Sequence, residues 1–378
     1  MCKKQFWQGA DDALRMPPAP AATRGLTMKR TIARFLTGAA LFMAATCLCG
    51  CASDEEPTAP VDAAIGVIET RSEKETSRIV FYDREMNEVA QLPLGYATLG
   101  NIFYDPLVYE GSLFAIPQGN FKTKDGEAVL QVDLDSLATE THTIQQPAMN
   151  DVAASDAHVF TCNTLNYASY INRCRTDDGE VSSVSIEGVY VSKIIWHEGS
   201  LYAFGLDLDD NSPMILRYDE NLTLRKSIDC SGCAYASSVY RAVADESRIY
   251  FCSFDVASRG QIGVLDTKSD TLSSIQLNER GASSIALEDG RLYVAHCDTR
   301  QEQGDSVLSV VDLETGSVEE RALEHGVDQM TVTDGSIYVL DNWSMHRYDA
   351  ESMEPAGSKP IEKMPGSYSY LSGLFPVK

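Results

Sequence analysis

The segment Cys230-Ser231-Gly232-Cys233 has the spacing of a dithiol redox couple, or of half a four-cysteine metal site. A redox role needs a helix behind the first thiol to lower its pKa, and the flanking residues alternate with the two-residue period of strands instead. A metal site would need Cys252 and Cys297 to join the pair. With Cys162 and Cys174 these make six cysteines after Cys51, an even number that favours disulfides in an oxidising compartment. The expected bridge is Cys162–Cys174, because one hairpin brings both together. Cys230, Cys233, Cys252 and Cys297 then have three ways to pair. Asp207, Asp209 and Asn211 space oxygen ligands like the start of a calcium loop. Ser212 then stands where the turn needs Gly, and Tyr218 where a bidentate Glu is required, so a solvated acidic loop is expected. The six histidines (142, 158, 197, 296, 325 and 346) show no metal-ligand clustering along the chain, and no G-x-S-x-G elbow appears. They are expected at the surface or in turns, and no catalytic residue is assigned.

The elements that must carry these side chains announce themselves by repetition. From Ala282 to Leu323, four short alternating apolar runs are separated by Asp289-Gly290, a polar loop around Gly304, and Thr315-Gly316. Two marks of this unit recur along the chain. One is a turn followed by an apolar anchor: Leu113, Val159, Leu201, Ile249, Leu292 and Ile337 lie roughly 45 residues apart. The other is a strand ending in Asp, at Asp83, Asp133, Asp219, Asp266, Asp312 and Asp349, where the carboxylate can accept N–H bonds from the following turn.

This grammar resembles the YVTN and quinoprotein-like propeller repeats over roughly residues 64 to 375. The resemblance implies an all-β, seven-bladed β-propeller, each blade of four strands named a (innermost) to d. Six a–b–c–d sets are expected at about 99–146, 147–187, 188–229, 236–278, 281–323 and 327–361, with the set at 147–187 least regular because Tyr170-Ile171-Asn172-Arg173-Cys174 replaces an apolar strand c. The seventh is a composite: the N-terminal segment supplies b, c and d, and Tyr368 to Phe375 supplies a, which leaves no open sheet edge. The quinoprotein enzymes carry a Trp after their D-x-x-T-G segment. Here Val318 and Glu319 follow Thr315-Gly316, so no cofactor is expected.

Aligning strand a of each set on its turn selects one polar residue per blade just before the first buried apolar position. Those residues are Asp105, Asp151, Lys193, Arg241, Ser284 and Gln329, with Tyr370 in the composite blade. They form a candidate ligand-binding ring at the top mouth of the axial channel, suited to a polar ligand such as a saccharide or peptide, or they merely solvate the mouth.

The N-terminus reads as targeting rather than fold. Lys29, Arg30 and Arg34 precede a short apolar run, Phe35 to Ala45, too short to span a bilayer. The run closes on Leu48-Cys49-Gly50-Cys51, which resembles a bacterial lipobox and implies that Cys51 becomes the lipidated first residue, although Cys49 stands where Ala or Ser is usual. The expected organisation is leader plus signal peptide over 1–51, with Met28 the start, then a polar tether over 52–63 and the propeller over 64–378. Removal of residues 1–51, which hold seven Lys/Arg and two Asp/Glu, takes the net charge from −24 to −29. So acidic a surface repels nucleic acid and anionic lipid headgroups. The expectation is therefore a membrane-anchored, extracytoplasmic binding propeller with an unknown protein or polar partner and no nucleic acid. The competing expectation is an extracytoplasmic lyase, hydrolase or lactonase working at the axial mouth.

Overall fold

Two turn chemistries set the architecture. At Glu110-Gly111, Glu198-Gly199, Asp289-Gly290 and Asp334-Gly335 both residues have positive φ, the type I′ geometry whose twist matches that of the strands it joins. Glycine at the second position adopts φ near 70° without steric cost. At the other recurrent mark, the Asp carboxylate caps the next turn. Asp133 accepts the Ser136 N–H at 2.6 Å, Asp266 that of Ser269 at 2.8 Å, Asp312 that of Thr315 at 2.7 Å and Asp349 that of Ser352 at 2.8 Å. Side-chain and backbone donors of these turns hold the Asp133 and Asp312 carboxyls below their ordinary value.

The computed structural model describes residues 62–71, 76–100, 106–118, 125–230, 238–253, 260–296, 306–341, 343–366 and 369–377. Among these, twenty-eight strands, numbered β1 to β28 in chain order, form seven four-stranded antiparallel sheets. Six blades are continuous: blade two (β4–β7, 107–143), blade three (β8–β11, 149–187), blade four (β12–β15, 189–229), blade five (β16–β19, 239–276), blade six (β20–β23, 282–322) and blade seven (β24–β27, 329–360). Blade one has the order β28-β1-β2-β3, so the C-terminal strand Ser369–Pro376 is its strand a, beside Ile65–Arg71, Thr76–Tyr82 and Glu88–Leu94. The inner strands β4, β8, β12, β16, β20, β24 and β28 pack each against the next and close into a ring. The fold is the seven-bladed propeller expected, with the expected closure.

An apolar layer fills every gap between blades, and the seven gaps hold seven separate clusters. Period-2 alternation produces this, because one face of each sheet meets the preceding blade and the other meets the following one. The polar strand c of blade three, β10 (Ala168–Arg175), is accommodated by its neighbours. Asn172 is fully buried; its amide donates to Thr161 Oγ1 and Asn163 Oδ1, both at 3.1 Å, and its oxygen accepts from Ser183 at 2.7 Å.

The register overturns the Cys162–Cys174 bridge. In the hairpin of β9 (His158–Leu165) and β10, Cys162 lies opposite Ile171 and Cys174 opposite Val159. The two cysteines are thus offset by three residues, an odd number, and project from opposite faces of the blade. Cys174 enters the layer between blades two and three, Cys162 the layer between three and four. Both are buried thiols, and burial pushes both up from the ordinary value, which makes them inert. Cys230 and Cys252 are buried in different layers as well, between blades four and five and between five and six, and no two described cysteines pair with each other. Cys51, Cys233 and Cys297 lie outside the described residues.

Candidate functional site

In a ring of blades the b–c and d–a connections share one face, the top, and the a–b and c–d turns share the bottom. Bottom a–b turns are tight, whereas the top connection after β21 (Arg291–His296) runs from residue 297 to 306 before β22 (Val307–Asp312) begins.

Four of the ring positions expected on strand a follow a common device, whereas Gln329 sits in the unshifted ladder of β24. The ladders of β8 (Met149–Ala154), β12 (Val189–His197), β16 (Val239–Ala244) and β20 (Ala282–Glu288) shift register immediately before Asp151, Lys193, Arg241 and Ser284. One extra residue sits at each shift: Asn150, Ser192, Tyr240 or Ser283. A bulge of this kind bends the strand and re-aims the side chain after it. The same shift in β28 occurs at Ser372, which places Gly373, not Tyr370, at ring level; Tyr370 lies three residues nearer the top. No side chain fits there, since a Cβ at Gly373 would come within 2.5 Å of Pro106. Asp105 lies outside the described residues.

Two of these positions reach around the circumference to a neighbouring blade. The Lys193 ammonium sits 3.0 Å from Asp151 Oδ1, and the Ile194 N–H donates to Asp151 Oδ2 at 2.8 Å, so one carboxylate joins blades three and four. Ser284 donates to the Met330 carbonyl at 3.4 Å and joins blades six and seven. Asp151, Arg241, Ser284 and Gln329 are all buried. Burial pushes the Asp151 carboxyl up, against the opposing pull of Lys193 and the Ile194 N–H.

The acidic loop of blade four is self-satisfied. Asp207 Oδ1 accepts the Asp209 N–H at 2.8 Å, Asp209 accepts the Tyr167 hydroxyl from blade three, and Asn211 adopts a φ of 60°. Tyr167 is itself half exposed on the top connection between β9 and β10.

The structure also brings together three side chains that sequence reasoning left apart. His325 lies on the d–a connection into blade seven, Asp341 on that blade's b–c connection, and His346 at the start of its strand c, β26 (Ser344–Asp349). One potential ligand atom from each lies within 4.8 Å of the others. The imidazoles stack face to face, with centroids 3.5 Å apart and planes 7° from parallel. His325 Nδ1 is 2.8 Å from the Gly326 carbonyl, which fixes the proton there, and its Nε2 accepts the Tyr348 hydroxyl at 2.5 Å. Asp341 Oδ1 accepts the N–H groups of Trp343 (2.7 Å) and Ser344 (2.6 Å), leaving Oδ2 to face His346 Nε2 at 3.1 Å. Burial works to raise the Asp341 carboxyl, but the Trp343 N–H, His346 and the Ser344 N–H hold it below its ordinary value. Burial lowers His325. Beside the cluster the Trp343 side chain is 69 % exposed, with the Lys363 ammonium 4.6 Å from its ring centre. The signal for the cluster was the repeat: mapping each His onto its loop type puts all three residues on the top of one blade.

No protein-family model matches the chain, and neither does any curated protein. Among solved structures, the chain is similar to a functionally unknown protein from Desulfotomaculum acetoxidans. That alignment has 14% identity and a TM-score of 0.54, and covers 83% of this chain and 99% of the other. It is also similar to Sqt1 of Saccharomyces cerevisiae, at 10% identity and a TM-score of 0.50, covering 85% and 98%. Both likenesses concern the fold alone.

Proposed function

We propose that the chain is a lipid-anchored, extracytoplasmic binding propeller that takes a protein or polar ligand on its top face. One observation carries the reading: among the described residues, the two exposed aromatics that sit on connections between strands, Tyr167 and Trp343, both lie on top, where the longer connections also lie. Exposed aromatics on loops held by a rigid scaffold are the usual anchors of recognition. The buried ring from Asp151 to Gln329 lies along the inner strands below that face. A photo-crosslinking residue placed at Tyr167 or Trp343 should yield discrete crosslinked species on native membranes. The same residue at Val89 or Leu224, exposed on d strands, should yield none. Equal yields from both sets, or none from the top, would remove the reading.

The anchor is tested separately. Cys51→Ala, or inhibition of lipoprotein signal peptidase, should leave unprocessed precursor and abolish labelling by an alkyne fatty acid. Labelling that persists in the variant contradicts lipidation at Cys51.

A further inference from the structure

We propose that His325, Asp341 and His346 form a zinc-class binding site, holding one divalent transition-metal cation through two imidazole nitrogens and one carboxylate oxygen. Two nitrogens and one oxygen suit zinc in a three-ligand site that keeps a fourth position open. Magnesium and calcium prefer oxygen-only shells of six or more ligands, so neither fits this set.

Part of the positioning is already built. A metal-bound histidine normally donates its other N–H to a carbonyl or carboxylate, which fixes its tautomer and orientation. His325 does so through Nδ1 to Gly326, which leaves Nε2 as the unprotonated nitrogen, at present accepting the Tyr348 hydroxyl. Asp341 is held the same way: two backbone N–H groups occupy Oδ1, so Oδ2 is presented to His346. The ligand atoms lie within 4.8 Å of one another. A tetrahedral zinc with bonds of about 2.0–2.2 Å needs them roughly 3.4 Å apart, a contraction of little more than an ångström. Parallel stacked rings cannot both aim a lone pair at one ion, so capture turns one imidazole out of the stack. His346 is the one that moves. It turns about a soft sp³–sp² torsion, shifts its single proton to Nδ1 and offers Nε2, while Asp341 Oδ2 exchanges its hydrogen bond for the metal. The Tyr348 hydroxyl gives up His325 Nε2 at the same step. The site faces the top beside Trp343, and it stands whether or not the proposed partner does.

The test uses the full chain dialysed against micromolar zinc, with bound metal measured by mass spectrometry, and against cobalt(II), read by absorption. One zinc per chain is expected, with cobalt d–d bands that lack a thiolate charge-transfer band. Zinc should raise the melting temperature. Asp341→Asn, which keeps the shape and the acceptor for the Trp343 and Ser344 N–H groups, should lose at least about tenfold in affinity and the thermal shift with it. His325→Ala/His346→Ala should abolish uptake. Absence of stoichiometric zinc, a thiolate band from the cysteines, or uptake unchanged in both variants overturns the site.

Discussion

Deletion of residues 366–378 is expected to destroy the cooperative fold, not to trim one blade. β28 is strand a of blade one and pairs with β1 from Ser369–Arg71 at the top to Pro376–Ile65 at the bottom, and the Val377 N–H bonds the Ala64 carbonyl just beyond. Its loss strips β1 of one ladder and exposes an apolar strand edge, Ile65 to Ile68, to pairing with other chains. It also removes Leu371, Leu374 and Phe375 from the layers on either side of blade one. At about 1.5–3 kcal/mol per buried side chain this is roughly 5–9 kcal/mol, comparable with the whole net stability of ~5–15 kcal/mol typical of a domain. A polar tie goes too, since the buried Glu69 carboxylate accepts the Ser369 hydroxyl. A ring has no independent half to survive the cut. Phe375→Ala, which empties the space above Gly66 and beside Phe81, isolates the packing part at about 3–5 kcal/mol. Gel filtration and thermal melting decide the matter: a monomeric truncation melting at the parental temperature would refute the role of the closure.

The repeat made most of this fold legible. Asp-Gly turns and strand-end aspartates each act within a few residues of their own position, so their meaning survives without knowledge of the partner strand. The Cys162–Cys174 pair was misjudged because sharing a hairpin does not fix a shared face. Face depends on register parity, which the two-residue turn at Asn166-Tyr167 sets to an odd offset. Tyr370 failed for a related reason: the extra residue at Ser372 is invisible to period-2 counting, and strand β28 has no a–b turn from which to count back. Counting from the turns puts Asp151, Lys193 and Ser284 at equivalent places on their strands, but says nothing of side-chain direction, because a bulge aims each along the circumference. The His325–Asp341–His346 cluster draws on three connections and strands separated by up to twenty-one residues, and no linear spacing encodes it.

Lys193→Met is expected to destabilise the propeller by about 3–5 kcal/mol at neutral pH, through the carboxylate it leaves behind. Asp151 is buried on the inner strand of blade three, and its charge is balanced by one ammonium at 3.0 Å, with backbone N–H help from Ile194 at 2.8 Å and from Val152. Methionine preserves the apolar stem and removes only the cation. Burial already raises the Asp151 carboxyl in the folded protein above an unfolded value of about 3.9, and removal of Lys193 raises it further. A group whose folded pKa is raised contributes stability that is fully present below the unfolded pKa and is lost as pH climbs through the folded one. The variant should therefore approach the parent on acidification toward about pH 4 and fall away above it. Asp151→Asn in the same background should remove that pH dependence and recover part of the stability, because the Asn oxygen still accepts the Ile194 N–H. Urea midpoints of the parent, Lys193→Met and the double variant at pH 5 and pH 8 test this directly. A gap between parent and Lys193→Met that is equal at both pH values would show that Asp151 is not held as a buried, singly compensated charge.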